Sequence, residues 1–120
     1  MIDATPTGLV RNPAALARVS VVAKLHVVAT TGAHCEAHYS PVHWLLDLTE
    51  AQLADRFIAD ITDGMPATDT AHRAAPARTG EGNPIRAGIF KAGIDYWSIS
   101  DFERRVLRAS PKCTPKPGRR

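Results

Sequence analysis

The feature that most constrains the fold is an alternation of strand-like and helix-like segments along the chain. A β-branched run at residues 25–32 lies between two helix-like segments, and an apolar run at residues 85–94 precedes a third. With the apolar start of the chain as a first strand, the order is β-α-β-α-β-α. Strands that alternate with helices form parallel sheets joined by right-handed crossovers. The pattern therefore predicts an α/β fold built on parallel strands.

Capping residues mark the three predicted helix starts. Asn is a favoured N-cap, and Pro is tolerated at the first helical position because its missing N–H would have no partner there. A Ser or Thr followed three residues later by Glu or Gln forms a capping box. These signatures occur at Asn12-Pro13, at Thr49 with Gln52, and at Ser100 with Glu103. The helix after Thr49 is also marked by apolar residues at helical spacing and by a glycine stop, Gly64.

Two stretches interrupt this pattern. Residues 65–84 hold three Pro, two Gly and no periodic apolar residues, which predicts a long loop or insertion. Residues 111–120 hold three Pro and almost no apolar residues, which predicts a disordered basic tail. We therefore interpret residues 1–110 as the folded part of the chain and residues 111–120 as its tail.

The positive charge belongs to that tail. The chain of 120 residues has a net charge of +3. Four cations after residue 111, with no acidic residue among them, leave residues 1–111 at −1. A nucleic-acid-binding surface needs basic residues spread over a folded face. We therefore expect no nucleic-acid partner, although a small binder that acts through its basic tail remains an alternative.

The sequence composition also indicates the cellular compartment in which the protein is expected. No apolar run approaches the 18 or so residues that a membrane span needs, so we expect no membrane association. The N-terminus has no basic segment followed by an apolar one, so nothing indicates secretion. Two cysteines are too few for a disulfide scaffold. Together these features predict a cytoplasmic protein with reduced thiols.

Several segments are familiar when read in order. IDATPTGLVRNPAALARVS, VVATTG, LADRFIADITDG and IRAGIFKAG followed by FERRVLRAS resemble the phosphotriesterase family of the amidohydrolase superfamily. That family includes phosphotriesterases, phosphotriesterase-like lactonases and phosphotriesterase-related proteins. The resemblance covers about residues 2–110, and the segment RAGIFK after the LADRFIADITDG helix carries most of it.

The resemblance implies a (β/α)₈ TIM barrel with a two-metal hydrolytic site. Ile2–Pro6, His26–Thr31 and Ile85–Ala92 would be its second, third and fourth strands. A complete barrel takes about 250 residues, so we expect a partial barrel of about three βα units. The HxH pair of the first strand and the metal ligands of the later strands are absent. The resemblance thus implies a truncated member that is inactive alone.

Lys91 is the metal-site residue that the resemblance implies. In the family, the lysine of this strand is carboxylated by CO₂, and the carbamate bridges two metals, commonly zinc. Only a neutral amine attacks CO₂, so such a site must disfavour the ammonium form. Two carbamate oxygens then suit two cations that share a hydroxide nucleophile. From the pattern alone, Lys91 is more typical of a surface lysine at a strand end.

A histidine-rich loop carries the other candidate site residues. It places His34, Cys35, Glu36, His38, Tyr39 and His43 within ten positions. Most of these are zinc-ligand types, but no HExxH or CxxC motif accompanies them, and Ser40-Pro41 disfavour a helix. The loop is therefore interpreted as a local zinc site or as a polar surface loop, with Cys35 treated as inert. By resemblance, His34 replaces an aromatic near the metals and is a candidate catalytic residue.

Aromatic residues near these strand ends have two interpretations. We expect Tyr39 and Trp44 to pack the histidine-rich loop onto the barrel. Tyr96 and Trp97 follow the lysine strand, where they would line a substrate pocket or, more simply, cover a helix end.

The leading functional hypothesis is a fragment of a metal-dependent hydrolase. In the complete parent, a metal-bound hydroxide would attack a small ester, lactone or phosphotriester. The alternative is a non-enzymatic half-barrel that assembles with another chain. Its open sheet edges would also favour self-association.

Overall fold

Two short parallel strands and three α-helices organise the chain. The computed structural model describes residues 1–113. In chain order the elements are α1 (Pro13–Ala23), β1 (Thr30–Ala33), α2 (Glu50–Thr62), β2 (Ile89–Ala92) and α3 (Asp101–Ala109). Short 3₁₀-helices lie at Glu36–His38, Trp44–Asp47 and Ser110–Cys113. The predicted α/β class and the parallel strand arrangement are confirmed.

The predicted helix starts are also confirmed. The Asn12 side chain accepts a hydrogen bond from the Ala15 N–H at 3.0 Å, and Pro13 is the first residue of α1. Helices α2 and α3 each begin with a complete capping box, in which side chain and backbone bond reciprocally. Because each cap satisfies N–H groups that have no partner within the helix, these boundaries were readable from the sequence.

The sheet is smaller than the sequence predicts. β1 and β2 pair in parallel, with Thr30 opposite Ile89 and Gly32 opposite Lys91. In the first half of the predicted strand 85–92, the Ala87 N–H does not pair with a neighbouring strand. It donates instead to the carbonyl of Asp60, near the end of α2. Strand pairing therefore occupies only the last four residues of the predicted segment.

The predicted first strand, Ile2–Pro6, forms only one isolated bridge, between Ile2 and Val28. The reason is local. The Asp3 carboxylate accepts the Thr5 N–H at 2.9 Å, which turns the backbone away from the ladder. Backbone hydrogen bonding to the neighbouring strand resumes where the Thr7 N–H donates to the Gly32 carbonyl at 3.1 Å.

The main core lies where α2 and α3 pack on the sheet. Phe57 of α2 meets Phe90 of β2 edge to face, with ring centroids 5.4 Å apart. Tyr39 meets Phe102 of α3 in the same way at 5.8 Å. The buried members of this cluster are Ala33, Tyr39, Leu45, Leu53, Ala54, Phe57, Phe102, Val106 and Ala109. Both helices thus cover one face of the sheet.

Residues 65–84 form neither a helix nor a strand, but they are tied to α2. Two isolated antiparallel bridges, Pro66 with Pro76 and Arg78 with Pro84, hold the segment together. The Arg56 guanidinium donates to the carbonyls of residues 70 and 71, and Met65 is fully buried. The segment therefore packs onto α2 along much of its length.

A buried ion network that no sequence pattern predicts lies beside β1. The Asp60 carboxylate accepts hydrogen bonds from Arg11 and Arg73 at 3.0 and 2.9 Å, and from the Thr31 hydroxyl at 2.7 Å. Arg11 also donates to the Thr30 carbonyl at 3.0 Å. These bonds link α2, the loop before α1 and the segment after residue 65.

The structure describes the first residues of the predicted tail, 111–113. Helix α3 ends at Ala109, and a 3₁₀ turn continues it from Ser110 to Cys113. Residues 114–120, the rest of the predicted disordered tail, lie outside the described residues. Within residues 1–113, no helix is long and apolar enough to cross a membrane.

Candidate functional site

The candidate site lies where the two strands end. Because β1 and β2 are parallel, their carboxyl ends meet at one edge, where the Gly93 N–H donates to the Ala33 carbonyl at 2.9 Å. Gly32 has φ +98°, and a Cβ there would lie 1.9 Å from the Lys91 carbonyl oxygen. Glycine is therefore required at this position for the strand that carries Lys91 to approach β1 so closely.

Lys91 lies on the sheet face turned away from the helices. Successive side chains of a strand point to opposite faces, and the neighbouring Phe90 packs on Phe57 of α2. The Lys91 side chain is half-buried, and its Nζ donates one long hydrogen bond, 3.3 Å, to the Ala4 carbonyl. One weak hydrogen bond thus orients the Lys91 side chain, and its amine remains accessible to solvent.

His34 follows β1 directly and lies close enough to Lys91 to be affected by its charge. Its imidazole stacks on that of His38, with centroids 3.8 Å apart and planes 20° from parallel. Burial lowers the pKa of His34, and the nearby positive charge of Lys91 and the ring of His38 lower it further. His34 is therefore a neutral imidazole near neutral pH, available as a base or a ligand.

A single 3₁₀ turn brings His38 back to Cys35. As Ser40-Pro41 lead us to expect, this loop forms no α-helix, and the 3₁₀ turn at Glu36–His38 ends before Ser40. The Cys35 Sγ and the His38 Nδ1 lie 2.8 Å apart, and the His34 Nδ1 accepts the Cys35 N–H at 2.8 Å. One ligand atom from each of His34, Cys35 and His38 falls within 4.8 Å of the others.

Tyr39 and His43 support the loop. The Tyr39 hydroxyl donates to the Thr7 carbonyl at 2.8 Å and accepts the His34 N–H at 2.9 Å. Burial is the main reason that the pKa of Tyr39 rises to about 12. The His43 Nδ1 accepts the Leu45 N–H, so its Nε2 carries the proton toward the Gly8 carbonyl, 2.9 Å away. The expected packing role of Tyr39 is confirmed.

Trp44 also packs on the core, as expected. It lies against the main cluster beside the histidine-rich loop. The Arg56 guanidinium lies over its indole, 4.4 Å from the ring centroid, at cation–π distance. This contact joins the loop to α2.

Glu103 ties together the two loops that follow the strands. Its buried carboxylate accepts the backbone N–H groups of Glu36, Asp95 and Ser100 at 2.9, 3.3 and 3.0 Å. Burial alone would raise the pKa of Glu103, but these three hydrogen bonds outweigh it and lower the pKa. The capping-box pattern identifies the Ser100 contact, whereas the other two depend on tertiary structure.

Tyr96 and Trp97 do not cover a helix end, so the simpler of their two interpretations is wrong. Tyr96 is 84% exposed and Trp97 is 87% exposed. They touch each other edge to face, with centroids 4.6 Å apart. This leaves two aromatic rings open to solvent in the loop that follows the lysine strand.

The parallel strands, the helix layer over one face and the lysine near a strand's carboxyl end are features of a segment of a (β/α) barrel. The phosphotriesterase family model matches residues 1–120, and the chain belongs to that family. The resemblance drawn from the sequence is thereby confirmed.

Solved structures agree with this assignment. An amidohydrolase from Mycoplasma synoviae aligns at 21% identity with a TM-score of 0.73, and covers 93% of this chain and 31% of its own. The phosphotriesterase homology protein from Escherichia coli, in complex with phosphate, aligns at 20% identity with a TM-score of 0.68, over 93% and 33% of the two chains. A PTE-like lactonase variant from Deinococcus radiodurans aligns at 26% identity with a TM-score of 0.69, over 93% and 31%.

These alignments also show what share of the matched structures the chain covers. It spans about a third of the length of the solved structures that it matches. Its fold is therefore that of a partial barrel, as predicted. No curated protein sequence matches it significantly.

The family is a class of metal-dependent hydrolases, so we asked whether the described residues fit a metal pair. Lys91 fits as one ligand, because its amine is accessible near the strand end. Within residues 1–113, three ligand-type side chains come together only in the loop of His34, Cys35 and His38. A metal ion held by protein needs about three or four ligands. The described residues around Lys91 therefore do not by themselves form the metal pair.

Proposed function

We propose that this chain forms the second-to-fourth-strand segment of a barrel hydrolase that cleaves small esters, lactones or phosphotriesters. One observation carries the proposal. Lys91 lies near the carboxyl end of its strand, on the face away from the helix layer, where barrel active sites lie. The names of two matched structures, a lactonase and a phosphotriesterase homology protein, support these substrate classes.

Lys91 would contribute a carbamate to this site. A neutral amine attacks the carbon of CO₂, forms a C–N bond and releases one proton, which leaves an anionic group with two oxygens. The backbone of Lys91 is fixed opposite Gly32, and its Nζ would give up only the 3.3 Å bond to Ala4. When bound, a pair of zinc or other divalent ions supplies a hydroxide nucleophile at neutral pH.

Two neighbours of Lys91 have supporting roles in the proposal. The neutral His34 imidazole would orient the nucleophile or the substrate, since it lies at the same edge of the sheet. The exposed rings of Tyr96 and Trp97 would form an apolar wall for the substrate. We further propose that the chain is inactive alone, because one ligand does not hold a metal pair.

Labelled bicarbonate tests the role of Lys91. We expect the purified chain, incubated with zinc and isotopically labelled bicarbonate, to show a carbamate signal by NMR that Lys91→Met abolishes. Lys24→Met is the matched control, because Lys24 is exposed and lies outside the site. A signal of equal size in Lys91→Met would contradict the proposal.

Turnover tests the second part of the proposal. We expect lactone and paraoxon hydrolysis by the zinc-loaded chain to stay at the rate of zinc in buffer. Turnover above that rate, lost in Lys91→Met, would contradict inactivity of the chain alone while supporting the hydrolase assignment.

Exposed apolar residues favour a second candidate function, a half-barrel that assembles with another chain. Val21 and Val22 of α1 are 79% and 83% exposed, and Ile2 and Val28, which form an isolated bridge, are exposed as well. Apolar patches of this kind mark interaction surfaces. Sedimentation of the parent chain and of the Val22→Asp variant would test for self-association. If both proteins stay monomeric at every concentration, self-association is excluded.

A further inference from the structure

The histidine-rich loop gathers three metal-ligand types in a segment of five residues. His34, Cys35 and His38 each place a ligand atom within 4.8 Å of the other two. Cys35 is buried, whereas His38 is exposed, so the sulfur is shielded while one side of the cluster is open to solvent. An entry path and a partly enclosed soft ligand are both features of a usable metal site.

We propose that His34, Cys35 and His38 form a binding site for a single Zn²⁺-like ion. Thiolate and imidazole ligands select zinc and similar transition metals over magnesium and calcium. Three protein ligands leave a fourth tetrahedral position, which water would occupy. The site needs neither Lys91 nor any residue outside this loop, so it is independent of the hydrolase proposal above.

The loop backbone is fixed on both sides of the cluster. The His34 N–H donates to the Tyr39 hydroxyl at 2.9 Å, and the Glu36 N–H donates to the buried Glu103 carboxylate at 2.9 Å. The 3₁₀ turn at Glu36–His38 then sets the return of His38 to Cys35. A metal would therefore meet ligands whose backbone is already ordered, which lowers the entropic cost of binding.

Metal binding changes contacts within the cluster. The Cys35 thiol would lose its proton to solvent as a metal–sulfur bond forms, and the 2.8 Å contact between Cys35 Sγ and His38 Nδ1 would open to admit the ion. The His34 ring would bind through one of its two nitrogens, of which Nδ1 accepts the Cys35 N–H at 2.8 Å.

The two proposed roles of His34 exclude each other. A ring that ligates a metal in the loop does not also orient a nucleophile at the Lys91 site. Variants of Lys91 and Cys35 separate the two roles, because only Cys35 belongs to the loop site.

Cobalt titration of the full chain tests the loop site. We use a Cys113→Ser background, so that Cys35 is the only thiol in the chain. We expect Co²⁺ to produce a thiolate-to-metal charge-transfer band that Zn²⁺ displaces. Loss of a residue that only hydrogen-bonds a metal ligand costs about 10- to 100-fold in metal affinity. We therefore expect Cys35→Ala and His38→Gln each to weaken Co²⁺ binding at least about tenfold.

Two controls make the result decisive. Lys24→Met, which changes an exposed lysine outside the loop, is expected to leave Co²⁺ affinity and the charge-transfer band unchanged. Because Cys35 is buried, the exposed His38 provides the variant that is expected to keep the fold, as circular dichroism would verify. Absence of the band in the parent chain, or equal Co²⁺ affinity in folded His38→Gln, would overturn the proposal.

Discussion

Asp60 and Lys91 are both ionisable residues at the small sheet, but they differ in burial and in the number of their hydrogen-bond partners. The Asp60 carboxylate is fully buried and bonds to Arg11, Arg73 and Thr31. Lys91 is half-exposed and has one 3.3 Å bond to the Ala4 carbonyl. A charge with a complete set of partners stabilises the fold, whereas an accessible charge with one weak partner is available for chemistry.

Substitution of Asp60 is expected to lower the free energy of unfolding more than substitution of Lys91. In Asp60→Ala, the buried Arg11 guanidinium loses its 3.0 Å partner, and Arg73 loses one as well. Breaking a buried ion pair by removing one member costs about 3–5 kcal/mol. We expect the free energy of unfolding to fall by about that amount in urea denaturation.

Asp55→Ala is the matched control for Asp60. Asp55 lies on the same helix, but it is exposed. Exposed substitutions usually change stability by less than about 0.5 kcal/mol. If both alanine variants unfold at the same urea concentration, the Asp60 network is not the structural anchor that we infer.

Glu103 provides an intermediate case, because it is a buried charge whose partners are three backbone N–H groups. Glu103→Ala leaves the amides of Glu36, Asp95 and Ser100 without this acceptor. Leaving a buried donor unsatisfied costs about 1–3 kcal/mol. We expect a loss of stability in that range by urea denaturation, and no comparable loss in Glu81→Ala, whose residue is exposed.

The same residue gives the chain a predictable acid response. The pKa of Glu103 is lower in the folded chain than its ordinary value of 4.5. The unfolded state therefore binds the proton more readily, and the stability from Glu103 is present above about pH 4.5 and is lost as pH falls through the folded pKa. We expect Glu103→Gln to flatten this part of the pH profile of urea unfolding. An identical slope in both proteins would contradict the assignment.

Local signals in the sequence were sufficient for the helices. Each N-cap needs only residues within four positions of one another, so Asn12, Thr49 and Ser100 were all identified correctly. Strand lengths were overestimated because pairing depends on distant partners. The side chain of Asp3 and the carbonyl of Asp60 each take an N–H that the strand pattern assigned to a ladder.

The candidate site was only partly readable for the same reason. Lys91 was located through family resemblance, and the structure shows its exposure and its register opposite Gly32. The contact of Cys35 with His38 depends on a 3₁₀ turn that lacks a strong sequence signal. The Asp60 network joins residues 11, 31, 60 and 73, and no local pattern connects positions that far apart.

The smallest predicted effect on stability belongs to Lys91, the residue on which the proposed function rests. Lys91→Met removes a single long hydrogen bond from a half-exposed amine, so we expect the free energy of unfolding to change by less than about 0.5 kcal/mol. Methionine also has an unbranched stem, so the substitution introduces no β-branch into the strand. Urea denaturation beside Asp60→Ala measures the contrast directly. A loss in Lys91→Met as large as that in Asp60→Ala would mean that Lys91 is a structural charge as well, and its accessibility would then no longer distinguish a site residue from a fold residue.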